Sequence, residues 1–390
     1  MNISRNLLRS NINPNVDYGI FKYFIFFYFF HAGVGIENSS MNIAGNFGFG
    51  DIGILLSLIF LIFYKIDEIK INLFIFIPVV FGILTLASLI NLIILGLDMH
   101  PSPLGYLVRW FFYGIVLLVL TNFYFSKKDL IICLMFLLFG FFTQTVVVWL
   151  NWFQAGVSFM NIPTLAYIEE YNANTIGFYM SIAYATSLSL FLKEIKSNKK
   201  SMRVIYLILS IIFLFSGFLT LSKGAWACLL MISFFFLIKN ISINFRSFLF
   251  IIGIGIIIFL MTFYLSDYFD LLEIVLARID SSTGSTNQRI DMFLSTFEIM
   301  RDYTWFGAGP KSYELYGLYY VDGGHMSKDP HTALGGIFAE LGIFAGFFYI
   351  FILFLLIPFE IFNIIRNKHE SYLWFLMVNI WMILVIFSFL

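Results

Sequence analysis

Apolar residues run along this chain in long blocks rather than alternating with polar ones. Runs of about 18 or more recur, and each is long enough to cross ~30 Å of hydrocarbon as a helix. The pattern predicts about eleven transmembrane helices. They fall at roughly 18–36, 43–64, 71–96, 104–125, 130–150, 174–192, 204–221, 222–238, 246–265, 332–357 and 371–390. Arg5 and Arg9 precede the first run as in a signal peptide, but no small-residue cleavage pattern closes it, so it reads as an uncleaved span. The block 204–238 is too long for one crossing, and Thr220, Ser222, Lys223 and Gly224 interrupt it with a tight turn. The expected fold is an all-α, polytopic membrane helix bundle.

One long polar excursion breaks the pattern, from about 266 to 331. Within it Ile290, Phe293, Leu294 and Phe297 recur at i, i+3, i+4 and i+7, predicting an amphipathic helix with one face on the bundle or the bilayer surface. The chain then divides into N-terminal spans (1–203), a region holding the large loop (204–358) and a last span (359–390).

Charge orients the bundle. With the N-terminus inside, the inner segments collect Arg5, Arg9, Lys65, Lys70, Lys127, Lys128, Lys193, Lys196, Lys199, Lys200, Arg203, Lys239, Arg246, Arg366 and Lys368, fifteen of the 23 basic residues. Glu169, Glu170, Asp267, Asp270, Asp280, Asp322 and Asp329 all fall outside. The polar loop therefore faces away from the cytoplasm.

Composition narrows the function classes. The chain is 60% hydrophobic and 12% charged, against about 25% charge in a soluble domain. A formal net charge of zero argues against a nucleic-acid partner. Cys133 and Cys228 lie in apolar runs and read as small buried hydrophobes. No motif calls for a metal, and the brief inner connections leave no room for a nucleotide fold, so no cofactor is expected.

The candidate chemistry gathers on the outer side. Lys223 opens a helix that Ser222 can cap; a cation there joins the partial positive charge of the helix N-terminus and favours an anion. The alternative is a lysine snorkelling to headgroups. Arg289 follows the run Ser281 to Thr286, and a guanidinium after a flexible hydroxyl-rich turn suits bidentate phosphate binding. Arg278 precedes that run with Asp280 nearby. Arg301 lies between Glu298 and Asp302 and reads as a surface ion pair. Asp329 reads as an N-cap, Pro330 as the first helical position, and His331 as a first-turn imidazole kept neutral by the helix dipole. A plain capping role for His331 is the competing reading. His31 near the end of the first span is a weaker candidate. Glu340, within the span that His331 opens, is an intramembrane carboxylate, functional or packing-critical. Cations, a histidine and hydroxyls on one face bounded by apolar spans would suit a lipid-linked diphosphate.

These residues, in this order, resemble the O-antigen ligase/polymerase superfamily of bacterial envelope glycan assembly over roughly 215–345. Leu219-Thr220-Leu221-Ser222-Lys223-Gly224-Ala225 is similar to the family's "SRG" segment, and Arg289 to the arginine near the start of its loop helix. Trp305-Phe306-Gly307-Ala308-Gly309-Pro310 is similar to its "PLxGxG" turn, and Asp329-Pro330-His331-Thr332 with Ala339-Glu340-Leu341-Gly342 to "PHN…xExG". Tyr171-Asn172-Ala173-Asn174 is similar to the Asn-rich start of a preceding helix.

The resemblance implies a glycosyltransferase of the bacterial inner membrane, working at the periplasmic face without nucleotide or metal. Its donor and acceptor would be undecaprenyl-diphosphate-linked oligosaccharides, and a chain-length regulator protein is a candidate partner. Lys223 and Arg289, with Arg278, would engage the diphosphate. His331 would sit beside the acceptor, supported by Glu340, Asp329 and Asn174. Lysine at Lys223 replaces the family's usual arginine, a point charge in place of a fork. An outer face with more acid than base favours a repeat-unit polymerase over a ligase that must approach phosphorylated lipid A core. A flippase would call for internal repeats and charges lining a midplane cavity, and the sequence contains neither. A non-catalytic sensor or scaffold is the remaining rival.

Overall fold

The computed structural model describes residues 19–34, 42–44, 47–65, 69–96, 103–123, 126–154, 173–197, 199–220, 222–240, 282–313, 332–366 and 371–389. The predicted span at 246–265 lies outside them. The elements are α1 (Gly19–Val34), the short strands β1 (Asn42–Ala44) and β2 (Phe47–Gly48), α2 (Phe49–Lys65), α3 (Leu73–Ile94), α4 (Pro103–Asn122), α5 (Lys127–Gln154) and α6 (Ala173–Ser197). There follow α7 (Lys200–Leu219), α8 (Lys223–Asn240), α9 (Ser282–Asp302), α10 (Ala333–Phe351), α11 (Ile357–Arg366) and α12 (Ser371–Phe389). Each of the other ten predicted spans coincides with a helix, and seven helical segments are long and apolar enough to cross a membrane. Apart from the short antiparallel pair β1–β2, the described residues form a polytopic membrane bundle of helices. The block 204–238 is indeed two helices, broken at Thr220 to Ser222.

The largest core joins α5, α6, α7, α8 and α12. At its centre lies α6, 72% buried over its apolar window. Its sequence is unusually rich in small hydroxyl residues, and these let neighbouring backbones approach closely. Ser181, Thr186 and Ser189 donate to the carbonyls of Gly177, Ile182 and Ala185 at 2.7–2.8 Å, so none is orphaned. Ser210 donates to Ser187 (3.0 Å), and Tyr184 pairs with Ser233 (2.9 Å), fastening α7 and α8 to α6. A second core joins α1, α2 and α4, and a third joins α3, α4 and α10, where Phe81 stacks on Trp110 at 4.6 Å. Cys133 and Cys228 are buried and unbridged, as expected of small hydrophobes.

Contacts show which helix ends lie together. Lys22 meets Asp129 at 2.9 Å near the starts of α1 and α5, and Gly33 packs backbone to backbone on Gly140 further along both, so these helices run parallel. The end of α5 meets the start of α6 and the end of α7 around a small pocket lined by Thr145, Trp149, Ile176, Ser216 and Thr220. Asp51 in the first turn of α2 lies within electrostatic reach of His31 on α1 and Arg109 on α4. The segment 303–313 touches Leu92 near the end of α3 and Tyr106 near the start of α4. One end of the bundle, here called the turn end, therefore holds the 303–313 turn and the starts of α2, α4, α6 and α8.

Two boundaries differ from expectation. The span predicted at 332–357 continues through a π-helical turn, Ile352–Leu356, into α11 and ends at Arg366. And α10 is interrupted at Gly342, whose backbone (φ 80°, ψ −175°) lies outside any helical region.

Candidate functional site

At the turn end, α7 stops at Leu219 and α8 restarts at Lys223. Thr220 donates from its hydroxyl to the Gly217 carbonyl (2.7 Å) and accepts from the Ser222 amide (3.3 Å), which folds the chain back tightly. Ser222 then caps α8, its Oγ accepting from Ala225 N (3.3 Å). The same hydroxyl donates to Asn174 Oδ1 at 2.8 Å, so the first turn of α6 and the cap of α8 are tied. Gly177 makes the approach possible, since a Cβ there would lie 2.7 Å from that of Ala225. Lys223, half-buried, is the first residue of α8. Helix starts favour anions, and the backbone that carries Lys223 is fixed here by the Ser222 cap and its tie to α6.

The second feature is the break in α10. Gly342 removes the helical continuity that would otherwise use the Ala339 and Glu340 carbonyls, and these accept instead from Ala308 N (2.9 Å) and Gly309 N (3.0 Å). Ile343 N donates back to Thr304 O at 2.9 Å. From α3, Ser88 Oγ donates to Glu340 O (2.7 Å) and Asn91 Nδ2 to Gly307 O (3.3 Å). The Trp305 to Pro310 turn is thus keyed into a gap in a membrane helix, with its backbone groups satisfied inside protein, as hydrocarbon requires. Because those carbonyls are occupied, the break is not arranged to coordinate an ion in the manner of transporter half-helices. Glu340 is half-buried beside this junction. Ser88 and Asn91 were not read from the sequence; two polar residues three apart on an apolar helix were the available signal.

The loop helix α9 corrects two expectations. It starts at Ser282, so the Ser/Thr/Gly run is helical rather than a flexible turn, and Arg289 lies two turns inside. Its bundle face is Met292, Ser295, Thr296 and Ile299, whereas Leu294 and Phe297 are exposed on the opposite side. The hydroxyls can be buried because each is bonded: Ser295 Oγ donates to Met292 O (2.7 Å) and pairs with the Tyr313 hydroxyl (3.0 Å), and Thr296 donates to Phe293 O (2.6 Å). Burial pushes the Tyr313 phenol above its ordinary range, and the Ser295 bond partly offsets that rise. Of the predicted apolar stripe, Leu294 and Phe297 therefore do not pack on the bundle among the described residues. Arg301, exposed, pairs with Asp302 at 3.4 Å as expected.

The cap of α10 is also corrected. Thr332, not Asp329, is the N-cap, its Oγ1 accepting from Gly335 N at 3.2 Å, and the helix opens at Ala333. His331 therefore precedes the cap in sequence, which removes the first-turn argument for a neutral ring. Arg278, Asp329 and His331 themselves lie outside the described residues, as does the side chain of Arg289. Of the predicted site residues, the structure brings Asn174 to the cap that carries Lys223; the contacts described around Glu340 come from α3 and the 303–313 turn. His31 is buried, and among the described residues its Nε2 has no hydrogen-bond partner.

A polytopic helical bundle with a capped lysine at one helix start, a helix broken at Gly342 and a loop helix packed on that helix defines an integral membrane protein. Residues 208–350 match the family described as O-antigen ligase, the family type that the sequence motifs resemble. The match holds α8, α9, the 303–313 turn and α10, so the capped lysine and the broken helix both fall within it. No curated protein and no solved structure matches the chain.

Proposed function

We propose that the protein polymerises undecaprenyl-diphosphate-linked oligosaccharide repeat units at the periplasmic face of the inner membrane. The carrying observation is Lys223 at the start of α8, whose Ser222 cap is bonded to Asn174, inside the O-antigen ligase match. The inward concentration of basic residues supports the orientation, and the outward excess of acidic over basic residues supports the polymerase reading.

In this reaction an acceptor hydroxyl on the incoming repeat unit attacks C1 of the reducing-end sugar of the growing chain. The C1–oxygen bond to the diphosphate breaks, and the carrier diphosphate leaves with the bonding electron pair. Lys223 and Arg289, with Arg278, stabilise the charge that develops on that leaving group. His331 takes the hydroxyl proton or orients the hydroxyl. Asn174 holds the α8 cap, while Asp329 and Glu340 support the histidine segment and its helix.

The test is a surface-glycan gel of strains carrying Arg289→Ala, Lys223→Ala or His331→Ala. Loss of long-chain polymer with single repeats retained is expected, and normal long-chain glycan in the Arg289 variant would sink the assignment. The description of the matched family favours a second reading, a ligase moving finished polymer to lipid A core. In that case a deletion strain accumulates polymer on the carrier.

A further inference from the structure

Two cations outside the Lys223 cluster lie near Tyr106: Lys311 over its ring, and Arg109 one turn further along α4. Lys311, half-buried, follows Pro310 in the turn and is the one non-glycine residue with a positive φ (61°) among the described residues. That backbone disfavours any side chain with a Cβ, and the surrounding turn holds it there. Its ammonium lies over the Tyr106 ring, 5.9 Å from the centroid. Tyr106, Arg109 and Tyr113 stand at i, i+3 and i+7 of α4, so one helix face carries all three. Arg109 is half-buried in an otherwise apolar helix.

Asp51 is the carboxylate that faces Arg109 among the described residues. Among the described residues, Arg109 and Lys311 make no hydrogen bond and no ion pair. Asp51 lies within electrostatic reach of Arg109 and Tyr113, but its Oδ2 accepts from Gly48 N at 2.9 Å. Among the described residues, one carboxylate stands against two cations here, in a membrane bundle where charged groups are paired or functional. A guanidinium fork with an ammonium a turn away suits phosphate oxygens. Leu104, Val108 and Phe111 form an exposed apolar stripe on the opposite face of α4.

We propose that Arg109 and Lys311 form a second anion site, which holds the diphosphate of a second polyprenyl-linked substrate. The inference rests on the polymerase reading, in which two lipid diphosphates must be held at once. It assigns one to Lys223 on α8 and the other to α4 and the turn, at the same end of the bundle. Asp51 is a positioning residue that keeps Arg109 inward.

The test uses the full chain in phosphatidylcholine nanodiscs, with farnesyl diphosphate as probe and calorimetry as readout. Wild type is expected to bind two equivalents. Arg109→Ala and Lys311→Ala each leave one equivalent, Lys223→Ala leaves the other, and Arg109→Lys weakens the second site by about tenfold without abolishing it. Inorganic pyrophosphate competing at that site supports headgroup recognition, whereas displacement of the probe by phosphatidylglycerol assigns the site to ordinary phospholipid and overturns the inference. A single equivalent lost only with Lys223→Ala also overturns it and leaves the polymerase reading standing. No binding at all removes both. Size-exclusion profiles matching wild type certify that each variant is folded.

Discussion

Gly307 and Gly342 face each other across the break in α10. A Cβ on Gly307 would collide with the Glu340 carbonyl, and one on Gly342 would collide with Trp305 O and lie 2.6 Å from Gly307 N. Both have positive φ, 72° and 80°. The two glycines are therefore one device: each permits its own backbone turn and also vacates the space the other chain segment occupies. Through it, a polar turn outside the helix and a carboxylate-bearing helix inside the bundle become one rigid unit, anchored to α3 by Ser88 and Asn91.

Alanine, the best helix former, should harm this helix. Gly342→Ala places a Cβ in a backbone region reserved for glycine and against a neighbouring backbone, which should cost about 1–3 kcal/mol. A lower thermal midpoint in detergent and reduced yield are expected. If Gly342→Ala instead raises the midpoint, α10 is continuous there and the junction is wrong.

The Lys22–Asp129 pair joins α1 to α5 at the end opposite the turn, at 2.9 Å with side chains 25% and 14% exposed. Ser126 also donates to Asp129 through its amide (2.9 Å) and hydroxyl (2.7 Å). Asp129→Ala should accordingly destabilise more than Lys22→Ala. A double-mutant cycle should give a coupling of about 0.5–1 kcal/mol, in the range of partly solvated pairs. Equal losses in the two single variants would show that the Ser126 bonds carry no weight.

Much of this fold was legible in the sequence because membrane helices are written in long apolar runs, and the turn at Thr220 to Lys223 is marked by its own polar residues. What escaped depends on partners distant in sequence. Ala339-Glu340-Leu341-Gly342 reads locally as continuous helix; the break exists because Ala308, Gly309 and Ser88 supply bonds from other elements. Asp329 and Thr332 are both good caps by residue type, and the choice fell to the one whose oxygen reaches Gly335 N. The buried face of α9 was hidden because Ser295 and Thr296 carry no hydrophobic signal and are buried only through their bonds. Arg109 and Asp51, ionisable residues inside apolar spans, met the criterion that singled out Glu340 and were overlooked beside the conspicuous loop.

Ser222 has two jobs, and substitution separates them. Ser222→Ala removes the α8 cap and the tie to Asn174, which should cost about 1 kcal/mol of stability and lower glycan polymer yield. Asn174→Ala leaves the cap in place but frees α6 from α8. Its midpoint should fall less than that of Ser222→Ala while polymer yield falls comparably. Wild-type polymer in Asn174→Ala would show that the tie does not shape the anion subsite.

Tyr313 makes stability of the turn depend on alkaline pH. Its phenol is 2% exposed, and burial raises its ionisation above the ordinary value. The neutral form is the one favoured in the fold, so this contribution is fully present below about pH 10, where the unfolded chain is also protonated. As pH rises through that value the unfolded state ionises first, and the stabilisation is lost progressively up to the folded value. Tyr313→Phe gives up the Ser295 bond, about 1 kcal/mol at neutral pH, but removes the titration. The difference in thermal midpoint between wild type and Tyr313→Phe should therefore narrow between pH 9 and 11 (about one unit either side of the ordinary phenol value). A gap that stays constant across that range would mean that Tyr313 is solvated rather than buried against α9.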